Sequence, residues 1–328
     1  MTHHSREVHL VSRPDGMPVP SDFALVERAV PEPGPGELVV QNLYMSVDPY
    51  MRPRMTAGFN LGEVLAGGAL GRVVQSRHAV FKEGDLVRSG LGFRDYFLSD
   101  GRGLQALEAD PALPLTVYMH ALGGTGFTAY GGLLEIGQLK DGEQVFISTA
   151  AGAVGSVAAQ IAKIKGCYVV GSAGSDDKCD WLRHEAGLDA AINYKTQPIG
   201  PALQAVTPKG IDVYFDNVGG EHLDAALRRM NMLGRIPVCG QISGYNGAGA
   251  PVTGLSAIIY GRVTVRGFVA ADFMGAYDRF ISEMTGWLKS GRIKYQETVV
   301  EGIDQASAAM IGLLNGANSG KMLVKLAE

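Results

Sequence analysis

The chain is expected to be an α/β protein: a doubly wound parallel sheet with a second, mostly β domain. Three observations predict it. Residues 144–172, QVFISTAAGAVGSVAAQIAKIKGCYVVGS, read as strand, glycine turn, helix and strand. Beyond residue 190 strand-like and helix-like runs alternate, as they do where crossover helices cover a parallel sheet. Before residue 120, short branched runs lie between turn signals with no long amphipathic helix among them.

The elements follow in order. Pro14-Asp15-Gly16, the proline-rich run 31–36, Gly67-Gly68 and Lys82-Glu83-Gly84-Asp85 punctuate the first third. Between them Leu38-Val39-Val40, Val73-Val74 and Asp95-Tyr96-Phe97-Leu98 read as strands of a small barrel-like domain. Thr128–Leu134 reads as helix despite its glycines. Val145-Phe146-Ile147 is a buried strand, and Val154, Val157, Ala158, Ile161 and Ile164 recur at helical spacing after it. Gly166 can close that helix, and Tyr168-Val169-Val170 starts the next strand. A strand at 190–193, a helix at 202–206, a strand at 211–217 and a helix at 221–232 follow. Strands at 235–239 and 263–268 and a helix at 275–288 complete the sheet. A last helix flanked by strands near 297–300 and 321–326 is expected to return to the first domain. That gives residues 1–120 plus 292–328 as the mostly β domain and 121–291 as the parallel-sheet domain.

The glycine turn has a physical purpose. Gly152 lets a pyrophosphate approach the backbone, and Gly155 lets the helix pack close to the strand. With Ala153 and Val154, these residues offer free N–H groups at the positive end of the helix dipole. The turn lacks the first glycine of G-x-G-x-x-G, and glycines also mark ordinary tight turns. The surrounding strand–turn–helix–strand decides for a dinucleotide. An NAD site carries an acid at the end of the second strand, about 20 residues after the glycines. Here that place reads Gly171-Ser172-Ala173-Gly174-Ser175, with no acid. Ser175 is a helix N-cap, which sets Asp176 and Asp177 in the first turn beside Lys178. A cation there opposes the dipole, and a bound phosphate compensates it. Lys178 with Tyr194 therefore suits the 2′-phosphate of NADP(H). The competing reading pairs Lys178 with Asp176, Asp177 or Asp180 at the surface.

Composition excludes several classes. A net charge of −4 gives no basic face for nucleic acid or an anionic membrane. No apolar run reaches the ~20 residues of a membrane span, and the N-terminus has no apolar core of a secretory signal. The protein is expected in the cytoplasm. Cys167, Cys179 and Cys239 fit neither a disulfide framework nor C-x-x-C, and no cysteine precedes residue 167. With no H-E-x-x-H and no histidine pair at ligand spacing, no metal site is expected. His3, His4 and His9 form a terminal cluster of the kind that is usually incidental.

These residues together resemble a known family, the medium-chain dehydrogenase/reductases, in their zinc-independent branch of prostaglandin, curcumin and alkenal/enone reductases. The matches are MSVDPYMRPRM (45–55), GFTAYGGLLEIG (126–137), AAGAVGSVAAQIAKIKGC (150–167), GSDDK (174–178), NYK (193–195), YFDNVGGE (214–221), CGQISGYN (239–246), RGF (266–268) and NSGKMLVKL (318–326). They span nearly the whole chain in the family's order. SRPDGMP (12–18) with DFALVE (22–27) is similar to the bacterial curcumin-reductase type. The resemblance implies a Rossmann domain, a GroES-like β domain, NADP(H) as cofactor and a homodimer. It implies cofactor roles for Gly174, Ser175, Lys178, Tyr194 and Asn217. Cys239, Tyr245, Phe268 and Asn318 match positions lining the pyrophosphate and nicotinamide cleft. Cys239 can equally be a strand filler, and Phe268 a core residue whose backbone makes the contact.

The activity so implied moves hydride from NADPH to the β-carbon of an α,β-unsaturated ketone or aldehyde, a small-molecule substrate. Charge develops on the carbonyl oxygen, which a hydroxyl donor in a dry cleft stabilises. Tyr50, Tyr245 and Tyr260 compete for that role, each with the plainer reading of a packing aromatic. Arg52 and Arg54 can steer an acidic substrate or be solvated surface charge. Two alternatives accompany this reading: a quinone reductase of the same superfamily, and a non-catalytic NADPH-binding protein.

Overall fold

The computed structural model describes residues 3–328. The chain divides into two compact units. One comprises Met1–Met119, Glu297–Asn318 and Met322–Glu328; the other comprises His120–Gln296 and Ser319–Lys321.

The first unit opens with β1 (His3–Leu10), β2 (Phe23–Val30) and β3 (Leu38–Ser46), then α1 (Met51–Ala57). The strands β4 (Glu63–Val64), β5 (Ala69–Ser76), β6 (Leu86–Ser89), β7 (Tyr96–Ser99) and β8 (Gln105–Ala106) complete its N-terminal part. β1 pairs antiparallel with β2 and β4 in a small sheet, while β3 pairs antiparallel with β5 and with β7. The short helix α1 is not singled out by the sequence, and it fits within a mostly β unit. It starts after the N-cap Tyr50, and its Met51 and Met55 are buried. They pack with Val8, Leu10, Met45 and Phe93 in the core of this unit.

In the second unit α2 (Gly124–Gly131) continues into a π-helical turn at Gly132–Ile136. Both glycines at that junction are filled by rings, since a Cβ on Gly131 would strike Phe273 and one on Gly132 would strike Phe268. Next come β9 (Gln144–Ile147), α3 (Ala153–Ile164), β10 (Tyr168–Ala173), α4 (Asp176–His184), β11 (Ala190–Asn193), α5 (Ile199–Val206) and β12 (Ile211–Phe215). Then follow α6 (Gly220–Leu227), β13 (Met230–Val238), α7 (Ser256–Gly261), β14 (Thr264–Gly267) and α8 (Tyr277–Lys289). The six strands lie in the order β11-β10-β9-β12-β13-β14, all parallel. Winding runs outward from β9 to β11, then restarts at β12 on the other side of β9. That reversal is the switch point at which such sheets bind ligands, beyond the carboxyl ends of the strands. Phe146 of β9 stacks on Tyr214 of β12 at 4.8 Å, inside a core with Val170, Ile192, Leu203 and Ile236.

One helix ends earlier than its sequence suggests. The expected helix over 221–232 stops at Leu227, and Met230 already pairs with Ile211 in the sheet. The pairing then jumps to Val213 opposite Arg235, and Leu233 takes a left-handed φ of 63° in the extra length. Methionine and leucine are good helix formers, so this irregular strand reads locally as helix; sheet pairing overrides propensity.

The chain returns to the first unit with β15 (Glu297–Glu301), α9 (Ala306–Leu314) and β16 (Lys321–Lys325). These extend its larger sheet in the order β15-β16-β3-β5-β6-β8. Among the described residues no helix is long and apolar enough to cross a membrane.

Candidate functional site

The site builds from the end of β9. Val145, Phe146 and Ile147 are buried, and the chain then turns sharply into α3. Thr149, just before the turn, adopts φ 50°, a left-handed conformation costly for a β-branched residue. Its carbonyl accepts from Gly152 N at 2.9 Å, which closes the turn. Gly152 is the N-cap of α3 with extended backbone, φ −84° and ψ 174°. Ala153, Val154 and Gly155 are the first helical residues, so their N–H groups have no acceptor within the helix. A Cβ on Gly155 would lie 2.9 Å from both Thr149 C and Ala150 Cα. Glycine there is what lets α3 sit on its own strand. His120, fully buried, sets a ring nitrogen 3.0 Å from the carbonyl of Ala153 and meets Tyr295 edge-on. Gly320 adds its backbone alongside the turn, pairing with Gly152 and donating to Ala151 O at 2.9 Å.

At the end of β10 the absent acid is replaced by an open backbone. Ser175 caps α4, its hydroxyl accepting from Lys178 N at 3.4 Å, so Lys178 stands in the first turn as the sequence predicts. Asp176 accepts from Asn193 Nδ2 at 2.8 Å, and Asp180 pairs with Arg183. Burial, then the charge of Lys195, push the Lys178 ammonium below the usual lysine range. Tyr194 follows β11. A Cβ on Gly174 would lie 3.1 Å from Tyr194 Oη and 3.3 Å from Lys195 Cε. Burial raises the Tyr194 hydroxyl, keeping it a neutral donor. Beneath Tyr194 lies His222, edge-on at 5.1 Å and nearly parallel to Phe146. Burial lowers His222 to about 4, so its ring is neutral at physiological pH.

On the other side of the switch point, Asn217 follows β12. Its Nδ2 donates to Ser148 O at 2.7 Å and its backbone N–H to Ser148 Oγ at 2.9 Å. The neighbouring Asp216 is buried; its carboxyl accepts from Tyr214 Oη at 2.6 Å and from the amides of Val218 and Gly219. Desolvation nonetheless raises it above the ordinary carboxylate value. Cys239 follows β13 and donates its N–H to Asp216 O at 2.8 Å. Burial, with Asp216 nearby, pushes its thiol up to about 12, so it offers no thiolate. Tyr245 lies in the next turn, its Oη 3.4 Å from Gln241 N. Phe268, after β14, meets Phe215 and Phe273 edge-on or tilted at 6.0 and 5.9 Å; its ring is a packing element.

The structure therefore gathers Gly152, Ala153, Val154, Gly155, Gly174, Ser175, Lys178, Tyr194, Asn217, Cys239, Tyr245 and Phe268 at or just past the carboxyl ends of one parallel sheet. Tyr260 stands apart, on α7 and 81% exposed. Tyr50 and Asn318 belong to the other unit. Tyr50 precedes α1, and burial together with Asp48 raises its hydroxyl. Asn318 is buried just ahead of β16. Arg52 is neither a steering charge nor solvated. It is 4% exposed, and its guanidinium donates to the carbonyls of Pro14 and Gly16 and to Thr56 Oγ1, clamping the loop after β1. Arg54 lies over the ring of Phe59 at 4.5 Å. Lys195 and His120 are the residues sequence reasoning passed over. Lys195 was legible as the cation after Tyr194; nothing local marked His120. Among the described residues no three His, Cys, Asp or Glu side chains group as metal ligands.

The chain is similar to known proteins along nearly its whole length. Residues 6–107 match the family described as the N-terminal domain of oxidoreductase, and residues 153–286 match the one described as zinc-binding dehydrogenase. The NADPH-dependent curcumin reductase of Escherichia coli is 39% identical over 97% of this chain and 96% of its own. The NADP(+)-dependent 2-alkenal reductase of Nicotiana tabacum is 39% identical over 99% and 98%. The crystal structure of CurA from Vibrio vulnificus in complex with NADPH superposes with a TM-score of 0.93 at 39% identity, covering 98% of this chain and 99% of that one.

Proposed function

We propose, from the premise that the chain belongs to the medium-chain dehydrogenase/reductases in their curcumin, prostaglandin and alkenal reductase branch, that it reduces the C=C bond of α,β-unsaturated ketones and aldehydes with NADPH. It is an NADP-dependent oxidoreductase. One observation carries the cofactor choice. Where an NAD site would hold a carboxylate, this sheet presents Gly174, Lys178 and the Tyr194 hydroxyl.

The bound cofactor supplies hydride to the β-carbon of the substrate. The protein's part is to hold and to orient. Ala153, Val154 and Gly155 meet the diphosphate with backbone N–H groups at the α3 dipole, while Lys178 and Tyr194 take the 2′-phosphate. Asn217, Cys239, Phe268 and Asn318 complete the cofactor contacts, Phe268 through its backbone. A tyrosine hydroxyl donates to the carbonyl oxygen as enolate charge develops, and the α-carbon is protonated directly or through water. Tyr50 and Tyr245 are the candidates. The Tyr50 hydroxyl is held protonated, and Tyr245 sits at the sheet end beside Gly240. Tyr260 is the third candidate and the most exposed. Every group given a part in this reading is a protein hydroxyl, ammonium or backbone amide, and the reduction is read as zinc-independent in line with the curcumin, prostaglandin and alkenal reductase relatives.

A homodimer in the cytoplasm suits the same reading. Every residue of β14, the edge strand of the parallel sheet, is exposed, and Val265, Ile259 and Met232 are exposed hydrophobics. The unpaired backbone groups of an edge strand are a template for a second copy. The test of function is NADPH oxidation across enones, enals and quinones, repeated with Lys178→Ala. Loss of about tenfold or more in NADPH kcat/KM with NADH little changed is expected for removal of one charge-assisted contact. Equal losses for both cofactors would remove the phosphate assignment.

A further inference from the structure

The 2′-phosphate site described above leaves one cation unused. Lys195 follows Tyr194 in the turn that leaves β11, and its backbone N–H donates to Asn193 Oδ1 at 3.1 Å. Its ammonium makes no hydrogen bond or ion pair with another described residue. Two acids of α4 have partners of their own: Asp176 accepts from Asn193 Nδ2, and Asp180 pairs with Arg183. Meanwhile the Lys195 stem and the Tyr194 hydroxyl converge on one point, the place where a Cβ of Gly174 would stand, at 3.3 and 3.1 Å. Lys178 is near enough for its own ammonium to be destabilised by the Lys195 charge. Two ammonium groups drawn together beside a phenol repel one another, and an anion between them would convert that repulsion into attraction.

We propose that Lys195 is a second cofactor-selectivity residue, which with Lys178 and Tyr194 closes a pocket over the bare backbone of Gly174 for a phosphate dianion. The proposal rests on the NADPH reading and extends it. A phosphomonoester loses its second proton near pH 6, and two lysines favour the doubly charged form over the singly charged one. The ribose hydroxyl of NADH carries no charge and gains nothing from either lysine. Selectivity at this site is therefore a matter of charge as well as of shape, and it weakens as the phosphate is protonated below about pH 6.

The experiment compares Lys195→Gln, Lys195→Arg and the parent protein, each with NADPH and NADH against one enone, and titrates each with 2′-AMP and 5′-AMP without turnover. Lys195→Gln is expected to raise the NADPH KM by about tenfold, the scale of one lost charge-assisted hydrogen bond. The expectation includes an unchanged kcat, an unchanged NADH KM, and restoration of most of the loss by Lys195→Arg. Binding of 2′-AMP should fall in Lys195→Gln while 5′-AMP binding holds. An NADPH KM within twofold of the parent value would overturn the proposal, as would equal losses for both cofactors. The underlying reading fails differently: a parent protein that does not prefer NADPH over NADH.

Discussion

Substituting Gly152 and Gly155 separately by alanine tests two kinds of clearance in one turn. A Cβ on Gly155 would meet backbone, not a movable side chain, at 2.9 Å from Thr149 C and Ala150 Cα. Ordinary contact begins near 3.4 Å, so α3 must lift by at least about 0.5 Å (3.4 − 2.9), and more to clear the Thr149 carbonyl oxygen. Overpacking of this kind costs on the order of 1–3 kcal/mol, and it displaces the N–H groups that meet the diphosphate. Gly152→Ala is milder within the protein. Its Cβ would lie 3.0 Å from Thr149 Cγ2 and 3.2 Å from Thr149 O, with φ at an ordinary −84°. Its methyl does, however, stand where a diphosphate needs to approach. Thermal melts and NADPH titration by fluorescence separate the two effects. Gly155→Ala is expected to lower Tm by several degrees and weaken NADPH. Gly152→Ala is expected to keep stability within ~1 kcal/mol and lose NADPH affinity by about a hundredfold, the effect of an ångström-scale misfit. Gly152→Ala binding NADPH as the parent does would refute the idea that this turn is cleared for the cofactor.

Three further outcomes follow from the same geometry. Thr149→Gly removes a left-handed β-branched residue whose strain costs roughly 1–2 kcal/mol, against about 0.5–1 kcal/mol of extra glycine entropy. Stability by denaturant titration should be unchanged or slightly raised, and a loss beyond ~2 kcal/mol would show that the threonine side chain holds the turn. His222, at about 4 in the folded protein and 6.5 as the ordinary value, takes up its proton more readily when unfolded. Its stability contribution is complete above pH 6.5 and declines as pH falls toward 4, by on the order of 3 kcal/mol; His222→Gln should flatten that part of the stability–pH curve. For the proton donor, Tyr50→Phe and Tyr245→Phe are each assayed with an enone: the residue that serves loses 10²-fold or more in kcat with NADPH KM unchanged, and neither variant losing more than twofold would exclude both.

Much of this was legible because the signals were local. The branched run at 145–147, the glycine turn and the apolar spacing through Ile164 fix β9, α3 and β10 with nothing else needed. The N-cap at Ser175 likewise places Lys178 in a first turn from local sequence alone. What the sequence hid depends on distance. The early end of α6 is set by pairing with β12 across the sheet, which no local propensity encodes. The short α1 was hidden by its length and by Pro53 within it. Arg52 shows the same limit: a charged residue in an RPR run looks like surface until the carbonyls of Pro14 and Gly16, some 36–38 residues away, are found at its guanidinium. His120 is 33 residues from the carbonyl it holds. Lys195 was legible as the cation after Tyr194, but its approach to Gly174, which follows another strand, was not.

The central claim is that hydride reaches the β-carbon of a conjugated carbonyl, and isotope placement reads it directly. NADPH deuterated at C4 on the transferred face is oxidised with an aliphatic enone, and the product is examined by NMR. A saturated ketone carrying deuterium at the β-carbon is the expected result. Deuterium on the carbonyl carbon of an allylic alcohol, or turnover confined to quinones, would contradict it.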